Sequence, residues 1–241
     1  MIYRKLLLLS FIGLVFIGCG HTNNLKYYDL KEQTVDYDYY ATPDGAEAFA
    51  DLPHTPVGDY DHRRGHERHR PPRVPLGIIV EIAGESMLTA QLQEKLDRAA
   101  DPEQMAEAVS DGFETKVTKY LGSKRDSVNP TYLVETVLTE YRLETSSWES
   151  RIHVHALTRV IHQPTGKVVW CDDESESMAL HRTPLGGLAP PPIGTVVGIL
   201  NASEILSMRD EDLRYVLKQA AEEVGREIAE TFREDWADSR R

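Results

Sequence analysis

YLVETVLTEYRLETSSWESRIHVHALTRVIHQPTGKVVW, residues 132 to 170, changes the kind of its side chains at every second position. In an extended chain successive side chains point to opposite faces, so Tyr132, Val134, Thr136 and Leu138 share one face while Leu133, Glu135, Val137 and Thr139 share the other. A second run behaves alike: Ile152, Val154, Ala156, Thr158 and Val160 lie opposite His153, His155, Leu157, Arg159 and Ile161. Pro164, Thr165 and Gly166 supply a hairpin turn, and KVVWCDDESES opens a third strand. The stretch predicts three successive antiparallel strands with one apolar face that needs a cover.

Helical periods on both sides of the stretch supply that cover. Leu88, Leu92 and Leu96 recur every four residues between Ser86 and Ala99. Asp101, Pro102 and Gln104 have the pattern of a capped helix start, followed by a stripe of Met105, Val109, Phe113 and Val117. Toward the C-terminus Leu213, Val216, Leu217, Ala220, Val224, Ile228 and Phe232 line one side of a long helix between Asp210 and Asp235. LGIIVEIAG, residues 76 to 84, is expected to be a short buried strand, and the Pro- and Gly-rich loop after His181 is expected to regain a strand at GTVVGIL. The fold class expected is α/β (α+β), a mixed or largely antiparallel sheet with helices packed on one face.

The chain begins MIYRKLLLLSFIGLVFIGCG. Arg4 and Lys5 precede an apolar run from Leu6 to Ile17, closed by Gly18 and Cys19. About 12 apolar residues fall short of the ~20 that a spanning helix needs, so residues 1 to 18 are expected to be a signal peptide. The sequence Phe16, Ile17, Gly18, Cys19 resembles a bacterial lipoprotein signal, which implies acylation of Cys19. Gly20, in a place where Asp often marks inner-membrane retention, implies delivery to outer-membrane lipid on the periplasmic side. Residues 19 to 74 are expected to be a lipidated flexible tether and residues 75 to 241 a single α/β domain. Between His21 and Arg73 there are few Ile, Leu or Val to bury. The cluster Tyr27, Tyr28, Tyr37, Tyr39 and Tyr40 leaves two further readings open, an added edge strand or a docking element.

Without residues 1 to 18 the chain holds 25 basic and 39 acidic side chains, a formal charge of −14. That balance repels nucleic acid and favours protein partners. Once Cys19 is acylated, Cys171 is the one cysteine left, and no intrachain disulfide can form. Its setting in KVVWCDDE, beside acids, disfavours a reactive thiolate.

The residue types of catalysis are present without their spacing. His54, His62, His66 and His69 lie in or near DHRRGHERHR, where five arginines in the wider segment repel a divalent cation and Gly65 opposes a helix. His153 and His155, with His162 beyond them, share a strand face beside Arg151 and Arg159, and they would form a metal or catalytic site only with an acid converging on them. AGESML lacks the Gly that a nucleophile elbow has after its Ser, and GKVVW has no phosphate-cradling loop before it. Asp172, Asp173, Glu174 and Glu176 lack the alternation of a calcium loop. Neither a catalytic residue, a metal site nor a cofactor is expected.

Thr158-Arg159-Val160-Ile161, the turn Thr165-Gly166, then Lys167-Val168-Val169-Trp170, flanked by helices and preceded by the Cys19 signal, resemble a group of bacterial envelope lipoproteins. The group includes auxiliary lipoproteins of ABC-type lipid transport systems and relatives with a TolB amino-terminal or CsgG-like domain. His162 and Gln163 stand where the group usually has an acid before the turn. The resemblance covers residues 76 to 236 and implies a TolB N-terminal-like fold. It implies a non-enzymatic accessory lipoprotein docking with an envelope transport or surface-assembly complex or, alternatively, a self-oligomerising ring subunit. A periplasmic metal-binding or enzymatic protein is the reading from a different class.

Overall fold

The computed structural model describes residues 21–42, 45–51, 76–146, 149–182 and 193–241, with side chains in the first helix described from Ser86 and in the third from Leu200. In chain order the elements are β1 (Thr22–Asn23), a 3-10 turn at Leu25–Tyr27, β2 (Thr34–Ala41), β3 (Ala46–Asp51), α1 (Leu76–Ala99), α2 (Pro102–Leu121), β4 (Lys124–Arg125), β5 (Tyr132–Ser146), β6 (Glu149–His162), β7 (Lys167–Arg182), α3 (Ile193–Ser207) and α4 (Asp210–Asp238).

β5, β6 and β7 form the expected antiparallel meander. The sheet runs β1-β7-β6-β5-β2-β4, with β3 also on β5. Both β2 and β3 run parallel to β5, β2 beside Tyr132–Leu138 and β3 beside Tyr141–Ser146, and the register shift between Leu138 and Glu140 separates the two. The result is a mixed α/β fold with an open sheet and helices packed against it.

The predicted faces hold residue by residue. Tyr132, Val134, Leu138, Ile152, Val154, Ala156 and Val160 are all buried in one core with residues of α1, α2, α3 and α4. Asp101 accepts a hydrogen bond from the Gln104 backbone N–H at 3.1 Å, Pro102 opens α2, and Gly122 closes it at φ 62°. At the centre Phe113 of α2, Trp170 of β7 and Phe232 of α4 meet with ring centroids 5.1 to 6.1 Å apart. α2 and α4 approach closely because each offers a glycine: a Cβ on Gly112 would stand 2.2 Å from the Glu222 carbonyl oxygen, and one on Gly225 2.0 Å from that of Val109.

Three expectations are corrected. Residues 76 to 84 are helical and belong to α1, because a short apolar run has no periodicity that separates strand from buried helix and the single Gly84 does not interrupt the helix before Leu88. GTVVGIL lies in α3 for the same reason. The tether expected over residues 19 to 74 does not hold where the chain is described, since Thr22–Asn23, Thr34–Ala41 and Ala46–Asp51 are strands of the sheet. Leu25 and Leu30 are fully buried and Val35, Tyr37, Ala48 and Ala50 nearly so, enough apolar contact to order a polar stretch. The Tyr-rich cluster therefore adds a strand. Residues 1 to 20 and 52 to 75, with Cys19, His54, His62, His66 and His69, lie outside the described residues.

Gly225→Ala is expected to lose about 3 kcal/mol in urea unfolding, although alanine is the better helix former by about 1 kcal/mol. A second pin between the same helices titrates. The Glu230 carboxylate accepts hydrogen bonds from Lys116 Nζ at 2.8 Å, the Tyr120 hydroxyl at 2.7 Å and Arg233 Nε at 2.7 Å. These donors hold its pKa down to about 2. A depressed carboxylate pKa stabilises the fold above the unfolded value and ceases to do so as pH falls through the folded one. Glu230→Gln is expected to cost about 1 kcal/mol at neutral pH, and the gap from wild type should close as pH falls from 4.5 to about 2, read from urea unfolding curves across that range.

Candidate functional site

The face of β5, β6 and β7 turned away from the described helices carries the polar half of the predicted alternation. Arg159 lies at its centre with its side chain only 8% exposed, held by Glu135 Oε2 at 2.9 Å and donating to the Tyr40 hydroxyl at 3.2 Å. His153 Nε2 meets Glu144 Oε2 at 2.9 Å, across to β5. His155 Nε2 meets Asp173 Oδ2 at 3.0 Å, across to β7, while its Nδ1 faces the Thr139 hydroxyl at 3.0 Å. Arg142 lies between Glu140 and Glu47, and Arg151 pairs with Glu149. At the hairpin end Glu144, Ser146, Glu149 and Arg151 line a polar hollow of about 180 Å³.

The two histidines singled out from sequence share this face and do not converge. Each takes its own acid from a different neighbouring strand, so the arrangement is a row of separate histidine–carboxylate contacts with no common point for a cation or reacting atom. Among the described residues no group of three or more His, Cys, Asp or Glu side chains is placed to hold a metal ion. His162 instead packs between the rings of Tyr28 and Tyr132, each 5.3 Å away. The acidic run of β7 divides by the same alternation: Asp173 joins His155 on the open face, whereas Glu174 accepts from the Thr231 hydroxyl of α4 at 3.1 Å. Cys171 is buried within β7.

A second polar cluster, absent from the sequence reading, fixes the start of the described chain. His21 bridges two acids, with Nδ1 3.2 Å from Asp172 Oδ1 of β7 and Nε2 3.3 Å from Asp235 Oδ2 of α4. The same Asp235 oxygen accepts the Trp170 indole N–H at 2.7 Å. β1 then pairs with β7 at Cys171 and Trp170, and the Asn24 N–H donates to the Val169 carbonyl at 2.8 Å. His21 and Asp172 are 151 positions apart, beyond the reach of any local pattern. The Arg159 partner Tyr40 was legible in principle, because Val35-Asp36-Tyr37-Asp38-Tyr39 alternates as a strand does.

Among the described residues no helix is long and apolar enough to cross a membrane. No family model matches the sequence, and no curated protein matches it. Among solved structures, the PelC dodecamer from Paraburkholderia phytofirmans is similar at 7% identity and a TM-score of 0.35, over 87% of this chain and 92% of that one. A Xanthomonas campestris protein of the DUF330 family is similar at 10% identity and a TM-score of 0.33, over 78% and 85%. Lipoprotein GNA1162 from Neisseria meningitidis is similar at 14% identity and a TM-score of 0.25, over 72% and 95%.

Arg159→Ala is expected to cost about 3 kcal/mol in urea unfolding, since Glu135 loses its partner on a largely covered part of the sheet. Arg159→Met combined with Glu135→Leu should recover most of that loss, because a pair of apolar side chains needs no compensating charge among Leu133, Val137 and Leu157.

Proposed function

We propose that the chain is a non-enzymatic assembly domain, held by acyl chains on Cys19 at the periplasmic face of the outer membrane, and that its first partner is another copy of itself. The observation that carries this reading is a pair of open edges at opposite ends of one sheet. Among the described residues β1 covers β7 only at Trp170 and Cys171, and β4 covers β2 only at Thr34 and Val35. A closed ring of identical chains needs two different, complementary surfaces on each chain, and a sheet with two unlike edges offers them. β3, on the same side as β2, is less free, because Gln93 and Thr89 of α1 accept its outward N–H groups at Ala48 and Ala50.

Side chains on these edges discriminate between partners. Asp36 and Asp38 flank the open length of β2, and Asp173, Glu174 and Glu176 that of β7. Like charges brought together oppose casual strand addition, so association requires further contacts or screened charge.

A second reading, an accessory lipoprotein of an envelope transport or surface-assembly complex, uses the face turned away from the described helices. The ladder of alternating cations and acids around Arg159 favours it, since a mixed-charge surface selects a partner of matching pattern.

The full lipidated chain in detergent, followed by native mass spectrometry and sedimentation, is expected to form one discrete oligomer whose population rises with salt as the Asp and Glu side chains are screened. A monomer at every salt concentration would overturn self-assembly. A different protein crosslinked to it in native membranes would then establish the accessory role.

A further inference from the structure

The structure fixes where the membrane must lie if Cys19 is acylated, and this inference rests on that part of the reading above. The described chain is fastened from its first residue, with His21 clamped between Asp172 and Asp235, Thr22 and Asn23 paired to β7, and Leu25 buried. Cys19 precedes His21 by two residues. Two residues span at most about 7 Å, less than the thickness of a headgroup layer. An anchored body therefore rests on the bilayer at this corner and cannot stand away from it.

The side chains gathered there match a lipid headgroup surface. Tyr27 is 70% exposed, with Lys26 Nζ 4.7 Å from the centre of its ring. Arg240 at the end of α4 lies 4.0 Å over the Trp236 ring and donates to the Tyr28 carbonyl oxygen. Lys31 and Arg241 are exposed nearby in sequence, and the acids of the same segments are Asp29, Glu32, Glu234, Asp235 and Asp238; Asp235 is taken up by His21 and Trp170, Glu234 lies 3.8 Å from Arg233, and Asp238 pairs with Arg241 at 3.0 Å. Tyrosine and tryptophan with an apolar body and a polar tip, next to long basic side chains, are the residue types that settle at the membrane–water interface. In a chain of formal charge −12 the bases of these two segments offset their acids, so anionic phosphates repel this corner least and find Lys26 and Arg240 there to meet them.

We infer that the corner formed by Lys26, Tyr27, Trp236, Arg240 and Arg241 is a docking surface for the phosphate-bearing face of a lipid bilayer. It holds the body in one orientation against the membrane from which it is anchored. Tyr215, 64% exposed near the start of α4, lies about 37 Å along the helix from Arg240 at 1.5 Å per residue and serves as the remote reference.

The test uses the full lipidated chain in vesicles of phosphatidylethanolamine and phosphatidylglycerol, with a nitroxide on Tyr27→Cys or, separately, on Tyr215→Cys. The label at 27 is expected to be several-fold less accessible to an aqueous nickel chelate, and more accessible to oxygen, than the label at 215. Charge reversal by Lys26→Glu, Arg240→Glu and Arg241→Glu should raise nickel access at 27 while the protein stays in the vesicle fraction. Equal accessibility at 27 and 215 in a protein whose Cys19 carries acyl chains by mass spectrometry would overturn the seating. An unmodified Cys19 would instead overturn the anchoring on which it rests.

Discussion

The close crossing of α2 and α4 is the constraint on which the remaining architecture depends. Gly112 and Gly225 let the two backbones approach to a distance that no Cβ would permit. Only at that distance do Phe113 and Phe232 both reach Trp170, which links the helix layer to the meander. One turn further along α4, Asp235 takes the indole N–H and, through the same oxygen, faces His21. A contact between two helices thus decides where the beginning of the described chain is fixed. The order of dependence runs from glycine to aromatic ring, to carboxylate, to the first strand.

How legible each part was in the sequence follows from the range of the interactions that build it. β5 and β6 are long and one-sided, so period-two alternation specified both faces, from Tyr132 to Leu138 and from Ile152 to Val160. α2 and α4 carry caps and stripes that are equally local. The runs at residues 76 to 84 and 194 to 200 are short and apolar but for Glu81 and Thr195, and periodicity is silent on such runs. β2 carried a signal in its Asp–Tyr alternation, but composition outweighed it: a stretch poor in aliphatic side chains looked unable to cover its ordering entropy. Its backbone pairs with β5, so beside that ladder the strand buries only Val35 and Tyr37. The His21 bridge joins residues 151 positions apart and nothing local encodes it, whereas for the Arg159–Tyr40 contact the local alternation points to the strand that carries Tyr40 but not to its partner.

The open face of the sheet shows why His153 and His155 do not converge on one point. Catalytic and metal sites need several groups aimed at one point, whereas a strand face spaces its side chains in rows. His153 and His155 each satisfy a carboxylate on opposite sides of β6, which uses the lone pairs and protons that a ligand would need. A face organised in this way resists metal binding and indiscriminate strand stacking, and it keeps an unhelixed sheet surface in water. The same pairing pattern is readable by a partner, because exchanging one acid for its neighbour changes the order of charge along the row.

Orientation gives these surfaces their consequence. A body joined to lipid through about 50 coil-like residues would sample orientations freely over roughly 35 to 40 Å. If Cys19 is acylated, only Gly20 separates the lipid from the clamped His21, and such sampling would end. The edges of β2 and β7, at opposite ends of one sheet, would then hold fixed positions relative to the bilayer in every copy. Confinement to a surface with a shared orientation raises the effective concentration of one edge for another, and it offsets the repulsion between Asp36, Asp38 and the acids of β7. An acidic chain anchored and seated as proposed would then associate more readily on its membrane than in solution, which would place the control of assembly in the link between lipid and fold.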